Sequence, residues 1–116
     1  MEAIAHSNFQ RYGARKVRQV LDQIRGKSVE QATELLPAIP RSACVLVTKT
    51  LKSAVANMQH RLGKDIDPAA LFVKAAWAGQ GPMGNMKRVL PAPQGRAMTF
   101  KRKVCHLTMV ISDERK

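Results

Sequence analysis

Between Asp67 and Asp113 the chain carries no Asp or Glu at all. Acid is scarce elsewhere too: eight Asp+Glu stand against twenty Lys+Arg in 116 residues, for a formal net charge of +12 and a pI near 10.6. Like charges repel in a compact state, so such an excess calls for an anionic partner and is the footprint of a polyanion binder. Aromatics make up only 4% against 45% hydrophobic residues, so a core of one domain's size must be mostly aliphatic. Cys44 and Cys105 are the only cysteines and have no CxxC spacing, which excludes a disulfide framework and suits buried thiols of a reducing compartment. No apolar run approaches the ~18 residues of a membrane span. MEAIAHSNF has no basic-then-apolar leader, and Glu2 argues against a transit peptide.

A catalytic site is equally wanting. His6, His60 and His106 are scattered, with no His pair at helical spacing to ligate a metal. Asp65 and Asp67 precede Pro68, a pattern that shapes a turn more readily than it holds magnesium. GQGPMGN is rich in glycine but leads into no helix signal, so it is not a phosphate loop. No nucleophile has an activating context. The expectation is a non-enzymatic protein with no cofactor and no metal.

What is present begins with a weak strand candidate at 2–9. In RYGARKVRQVLDQIRGK, Val17, Val20, Leu21 and Ile24 form one apolar helical stripe, and Gly26 is placed to end the helix in a left-handed cap. Arg15, Lys16, Arg18 and Arg25 fall largely off that stripe, with only Asp22 opposing them. Ser28 and Gln31 have the form of a capping box before a short helix that turns Val29, Ala32, Leu35 and Leu36 inward and is closed by Pro37 and Pro40. Residues 41–62 keep helical spacing for about six turns through Cys44, Val47, Leu51, Ala54, Val55, Met58 and Leu62, and Gly63 stops them. Leu71, Val73, Ala75 and Trp77 alternate with Phe72, Lys74, Ala76 and Ala78 in a strand, and Cys105, Leu107, Met109 and Ile111 alternate with His106, Thr108 and Val110 in its counterpart. The expected fold is α+β: a small antiparallel sheet with three helices packed on it.

Residues 81–103 read as a long hairpin leaving that body, a single domain of 1–116 whose body spans about 1–80 and 104–113. Pro91, Pro93 and Gly95 mark its reversal. Thirteen residues of arm at about 3.3 Å each reach on the order of 40 Å. Met86, Val89, Leu90, Met98 and Phe100 are too few to make a core, so the arm is expected to be mobile in free protein and ordered on a polyanion. Single aromatics such as Phe9 and Phe100 read as packing residues. Composition alone leaves open a structural RNA-binding protein and a DNA-binding regulator; a metal-dependent RNA-processing enzyme would need clustered carboxylates or His, which are missing.

The order AxKVRxVxDxIRGKxVxxA, present from Ala14 to Ala32, resembles the bacterial-type large-subunit ribosomal protein L22 family. So do Ser53-Ala54-Val55-Ala56-Asn57, Gly81-Pro82, Lys87-Arg88, Pro91, Gly95-Arg96-Ala97 and 106–110. The resemblance covers nearly the whole chain. It implies a structural constituent of the large subunit that binds 23S-type rRNA through its body and through a hairpin lining the peptide exit tunnel, and that supports assembly. Carried over by position, Arg11, Arg15, Lys16, Arg18, Arg25 and Lys27 are body contacts to rRNA. Lys87, Arg88, Arg96, Lys101, Arg102 and Lys103 are arm contacts, and Pro91, Ala92, Pro93, Gln94, Gly95 and Arg96 form the tunnel tip. Neighbouring ribosomal proteins and the nascent polypeptide are the further partners implied; a membrane and a second copy are not. The place implied is the ribosome of the cytoplasm or of an organelle. The chain departs from the family at Leu90, Ala92 and Gln94, where Arg or Lys is common near the tip. It also departs in an extra two residues of length at Met83-Gly84-Asn85-Met86, and at Gly13, where a Ser or Thr helix cap is usual.

Overall fold

The computed structural model describes residues 2–63, 66–82 and 87–113; the side chains of Lys87, Arg88 and Lys101 lie outside that description. So do Asp65 of the predicted turn and the extra length at Met83-Gly84-Asn85-Met86. The fold is α+β. Strands β1 (Glu2–Gln10), β2 (Phe72–Gln80) and β5 (Cys105–Ser112) form an antiparallel sheet in the order β1-β5-β2, with helices α1 (Ala14–Ile24), α2 (Val29–Leu35) and α3 (Cys44–Leu62) beside it. α1 lies against β2, and α3 against β1 and β5. Strands β3 (Lys87–Pro91) and β4 (Ala97–Lys101) pair only with each other.

The predicted apolar stripes are the ones that bury. Val17, Val20, Leu21 and Ile24 of α1 meet Val47, Leu51, Ala54 and Met58 of α3 and the inward row Cys105, Leu107, Met109 and Ile111 of β5 in one cluster. Aliphatic side chains dominate it, as the scarcity of aromatics requires. In α3, Val55 and Leu62 are only partly buried, while Leu46 and Thr50, which were not on the predicted stripe, are buried. Thr50 is accommodated because its hydroxyl donates to Leu46 O at 2.9 Å and meets Ser7 Oγ at 2.8 Å.

Helix ends follow local chemistry. Gly63 is left-handed (φ 69°) and its N–H donates to Gln59 O, closing α3 as expected. Gly26 is also left-handed (φ 77°) but does a different job: α1 ends at Ile24, and residues 24–27 make a tight turn closed by Lys27 N–H to Ile24 O at 3.3 Å. The Gly26 N–H goes instead to Val73 O at 3.0 Å, tying the turn to the sheet. Ser28 accepts from Gln31 N–H at 3.3 Å, the forward half of the predicted capping box; its reciprocal bond from the Gln31 side chain does not form among the described residues. Gly13 gives α1 no side-chain cap.

One irregularity changes which residues face where. The β2–β5 register shifts between Val73 and Ala75, so Ala76 and Ala78 join Leu71 and Val73 on the buried side and Trp77 turns to the other face. Strict alternation would have put Trp77 with Leu71 and Val73. A one-residue bulge inverts every side chain beyond it.

Candidate nucleic-acid interface

Arg11, Arg15, Lys16, Arg18, Arg25 and Lys27 are all exposed, on α1 and the turns flanking it. The α1 stripe fixes this: a helix that buries residues 17, 20, 21 and 24 must present 15, 16 and 18 outward. Two of these arginines are held in place by the protein itself. Arg18 Nε donates to Ala78 O at 2.8 Å and Arg25 Nε to Ala76 O at 2.7 Å, both on the outer edge of β2. Arg25 also pairs with Asp22. The rest of that edge is taken by the turn after α1, through Gly26 N–H to Val73 O, Val73 N–H to Lys27 O and Val29 N–H to Leu71 O.

The opposite edge is treated alike. Asn57 Nδ2 donates to Ile4 O at 3.0 Å, and Arg61 donates to Glu2 O, both reaching from α3 to β1. Edge carbonyls that would template another strand are thus occupied by side chains from the helices. Sequence reading found Arg18 and Arg25 as charge but missed that their Nε atoms brace β2, because nothing local marks a contact 60 residues away.

In the arm, the ladder pairs Lys87 with Lys101, Arg88 with Phe100, Val89 with Thr99, Leu90 with Met98 and Pro91 with Ala97. Residues 92–96 close it: Ala92 N–H donates to Arg96 O at 2.9 Å, and Gln94 (φ 63°) and Gly95 (φ 71°) turn the chain through left-handed backbone. Val89, Leu90, Met98, Arg96, Arg102 and Lys103 are exposed. The Arg102 guanidinium lies 5.1 Å from the Phe100 ring centre, a cation–π contact. Lys103 comes back to the body, where a Cβ at Gly13 would sit 3.6 Å from its Cδ.

No group of three or more His, Cys, Asp or Glu among the described residues could hold a metal. Asp67 accepts from Ala69 N–H at 3.0 Å and so shapes the turn at Pro68–Ala70. His6 binds Thr108 Oγ1 at 3.1 Å and His106 Nδ1 accepts from Phe9 N–H at 3.1 Å, so two of the three histidines have structural partners. No described helix is long and apolar enough to cross a membrane.

The family of ribosomal protein L22p/L17e matches residues 5–112. The chain belongs to the ribosomal protein L22 family. Among its relatives, large ribosomal subunit protein uL22 of Endomicrobium trichonymphae is 47% identical over 113 residues, covering 97% of this chain and 93% of the relative. The uL22 protein of Prochlorococcus marinus strain AS9601 is 46% identical over 110 residues, 95% of this chain and 83% of its own length. This L22-family chain is accordingly a structural protein and not an enzyme. The match spans the body, the β3–β4 hairpin and β5.

Proposed function

We propose that the chain binds large-subunit rRNA through two basic surfaces, an α1 face on the body and the hairpin of residues 81–103, with the hairpin tip lining the peptide exit tunnel. Family membership supplies the coarser statement: the chain is a structural constituent of the large ribosomal subunit, with rRNA and ribosomal proteins as its partners. Its place of action is the cytoplasmic ribosome.

One observation supports the arm's role above the others. β3 and β4 form a two-stranded ladder with no third strand, their apolar side chains Val89, Leu90 and Met98 are exposed, and the segment contains no acid. An isolated hairpin is marginal in water. Arg96, Arg102 and Lys103 of the arm are exposed, and a surface of one charge sign calls for an anion to offset its self-repulsion. Phosphates would supply that anion, and each one neutralised releases counterions. The molecule measures 63 × 26 × 20 Å with a radius of gyration of 17.3 Å, against about 13 Å for a compact chain of this length, which accommodates an arm threading between RNA helices. In this reading Arg11, Arg15, Lys16, Arg18, Arg25 and Lys27 are the body contacts, Lys87, Arg88, Arg96, Lys101, Arg102 and Lys103 the arm contacts. Residues 91–96 meet the nascent polypeptide. Leu90, Ala92 and Gln94 make that tip less basic than is usual for the family.

Co-sedimentation with ribosomal subunits across a salt series tests the proposal, comparing the full chain with a deletion of residues 86–101. Stoichiometric recovery of both in the large subunit is expected, the deletion with a shallower salt dependence. Recovery as free protein, or on DNA, would overturn it.

A further inference from the structure

The sheet has two faces, and only one is covered by helices; on the other, Thr108 and Val110 of the central strand are buried beneath the flanking strands' side chains, and the exposed groups are those on β1 and β2. Ala5, Met109 and Ala76 face the helices; in the next row toward the arm, His6, Thr108 and Trp77 stand side by side on the opposite face, and the His106–Gly79 pair follows. Rows on one face are about 7 Å apart along a strand. Trp77 is half exposed, and Phe9, beside His106, is 67% exposed. Phe9 is therefore not the packing residue that its type suggests. It sits in a β1 bulge between Ser7 and Gln10, with a left-handed φ of 57° that a bulky residue rarely adopts. Its ring meets the His106 ring edge-on, centres 4.8 Å apart and planes at 85°, while its N–H donates to His106 Nδ1. Gly81 lies close to the same ring, since a Cβ there would come within 3.2 Å of His106 Nε2. The bulge thus holds an aromatic ring outward against His106.

The two ends of this strip differ in charge. Arg11 and Lys103 are exposed at its arm end, where no described acid lies, while at the other end Glu2 is paired with Lys74 and Asp113 follows β5. Base pairs in a duplex hide their faces, whereas an unpaired base offers a π-face to any ring and a phosphate to any cation. We propose that this face is a stacking platform for unpaired nucleobases of RNA, with Phe9 and Trp77 as its ring contacts and Arg11 and Lys103 holding the adjoining phosphates. The proposal rests on the RNA-binding reading and adds a mode to it, stacking beside phosphate contact.

Trp77 is the single tryptophan of the chain, so its fluorescence reports this face alone. The test titrates the full chain with octa-adenylate and, separately, with an RNA duplex of equal phosphate number. Octa-adenylate should quench Trp77. Phe9→Asn, chosen because Asn accepts positive φ, should weaken octa-adenylate about tenfold and leave the duplex affinity and the melting temperature unchanged. Phe9→Tyr should restore binding, and Arg11→Ala with Lys103→Ala should weaken both RNAs. Unquenched Trp77, or Phe9→Asn binding octa-adenylate as the parent does while the Arg11 and Lys103 changes lower it, overturns stacking and leaves RNA binding standing. If the parent binds neither RNA at low salt, the RNA-binding reading falls as well.

Discussion

Arg18 reaches across from α1 to place its Nε 2.8 Å from the carbonyl oxygen of Ala78, on the outer edge of β2. Arg25 does the same to Ala76 two turns further on. These residues answer two demands at once. The Nε closes a strand edge, and the rest of each planar fork, fixed in direction by that bond, stays at an exposed surface. Lysine could carry the charge but has no second donor set for such a division.

Replacement of Arg18 by Ala is accordingly expected to cost about 1–2 kcal/mol of stability, because the Ala78 carbonyl loses a charged donor; Lys, which keeps one but lacks the fixed fork, should cost less. For a chain of this length that lowers the melting temperature by roughly 4 °C per kcal/mol. Calorimetry checks it. An alanine variant that melts with the parent would show the edge bond to be dispensable.

Gly26 and Gly79 separate conformation from space. Neither has an atom within 4 Å of a Cβ position, but only Gly26 has positive φ. Gly26→Ala should cost about 1–2 kcal/mol through backbone strain alone. Gly79→Ala should be close to neutral in the same denaturant titration.

Burial pushes the Cys105 thiol above its ordinary value, with a backbone hydrogen bond from Tyr12 pulling weakly the other way. The unfolded chain therefore loses this proton near pH 8.5 while the folded chain keeps it. The unfolded state is then the more readily ionised, so this contribution to stability is complete below pH 8.5 and falls as pH rises toward the folded value. Cys105→Val, of similar size and without a proton to lose, should show a flatter decline in stability between pH 8 and 10 than the parent.

Amide exchange should divide the molecule. Amides of β5, between β1 and β2 with Leu107, Met109 and Ile111 wholly buried, are expected to exchange only on global unfolding. Those of β3 and β4 should exchange orders of magnitude faster in free protein and become protected on RNA. Equal protection of both ladders without RNA would mean that the arm is held by the protein alone.

Much of this was legible beforehand where one period governs a long segment. The α1 stripe, the α3 spacing and the inward row of β5 each became buried faces, and Gly63 capped α3. What escaped has a common physical form. The bulge at Lys74 inverted the parity of β2 and moved Trp77 to the face away from the helices; the bulge before Gln10 turned Phe9 outward. Neither carries a glycine to announce it, and both exist only because a neighbouring strand fixes the register. The edge bonds of Arg18, Arg25, Asn57 and Arg61 were hidden for a similar reason, since each joins residues more than 50 positions apart.

The strand order also has a consequence in time. β5 lies at the centre of the sheet yet leaves the ribosome after every other strand. Until it arrives, β1 and β2 have no partner between them, and the apolar faces of α1 and α3 have no floor. The whole acid-free segment, arm included, must be made before the body can close. Newly made chains therefore pass through a stage in which a strongly cationic, unfolded polymer precedes its own scaffold. During that stage the arm's charge is on offer before the body has any core to close on.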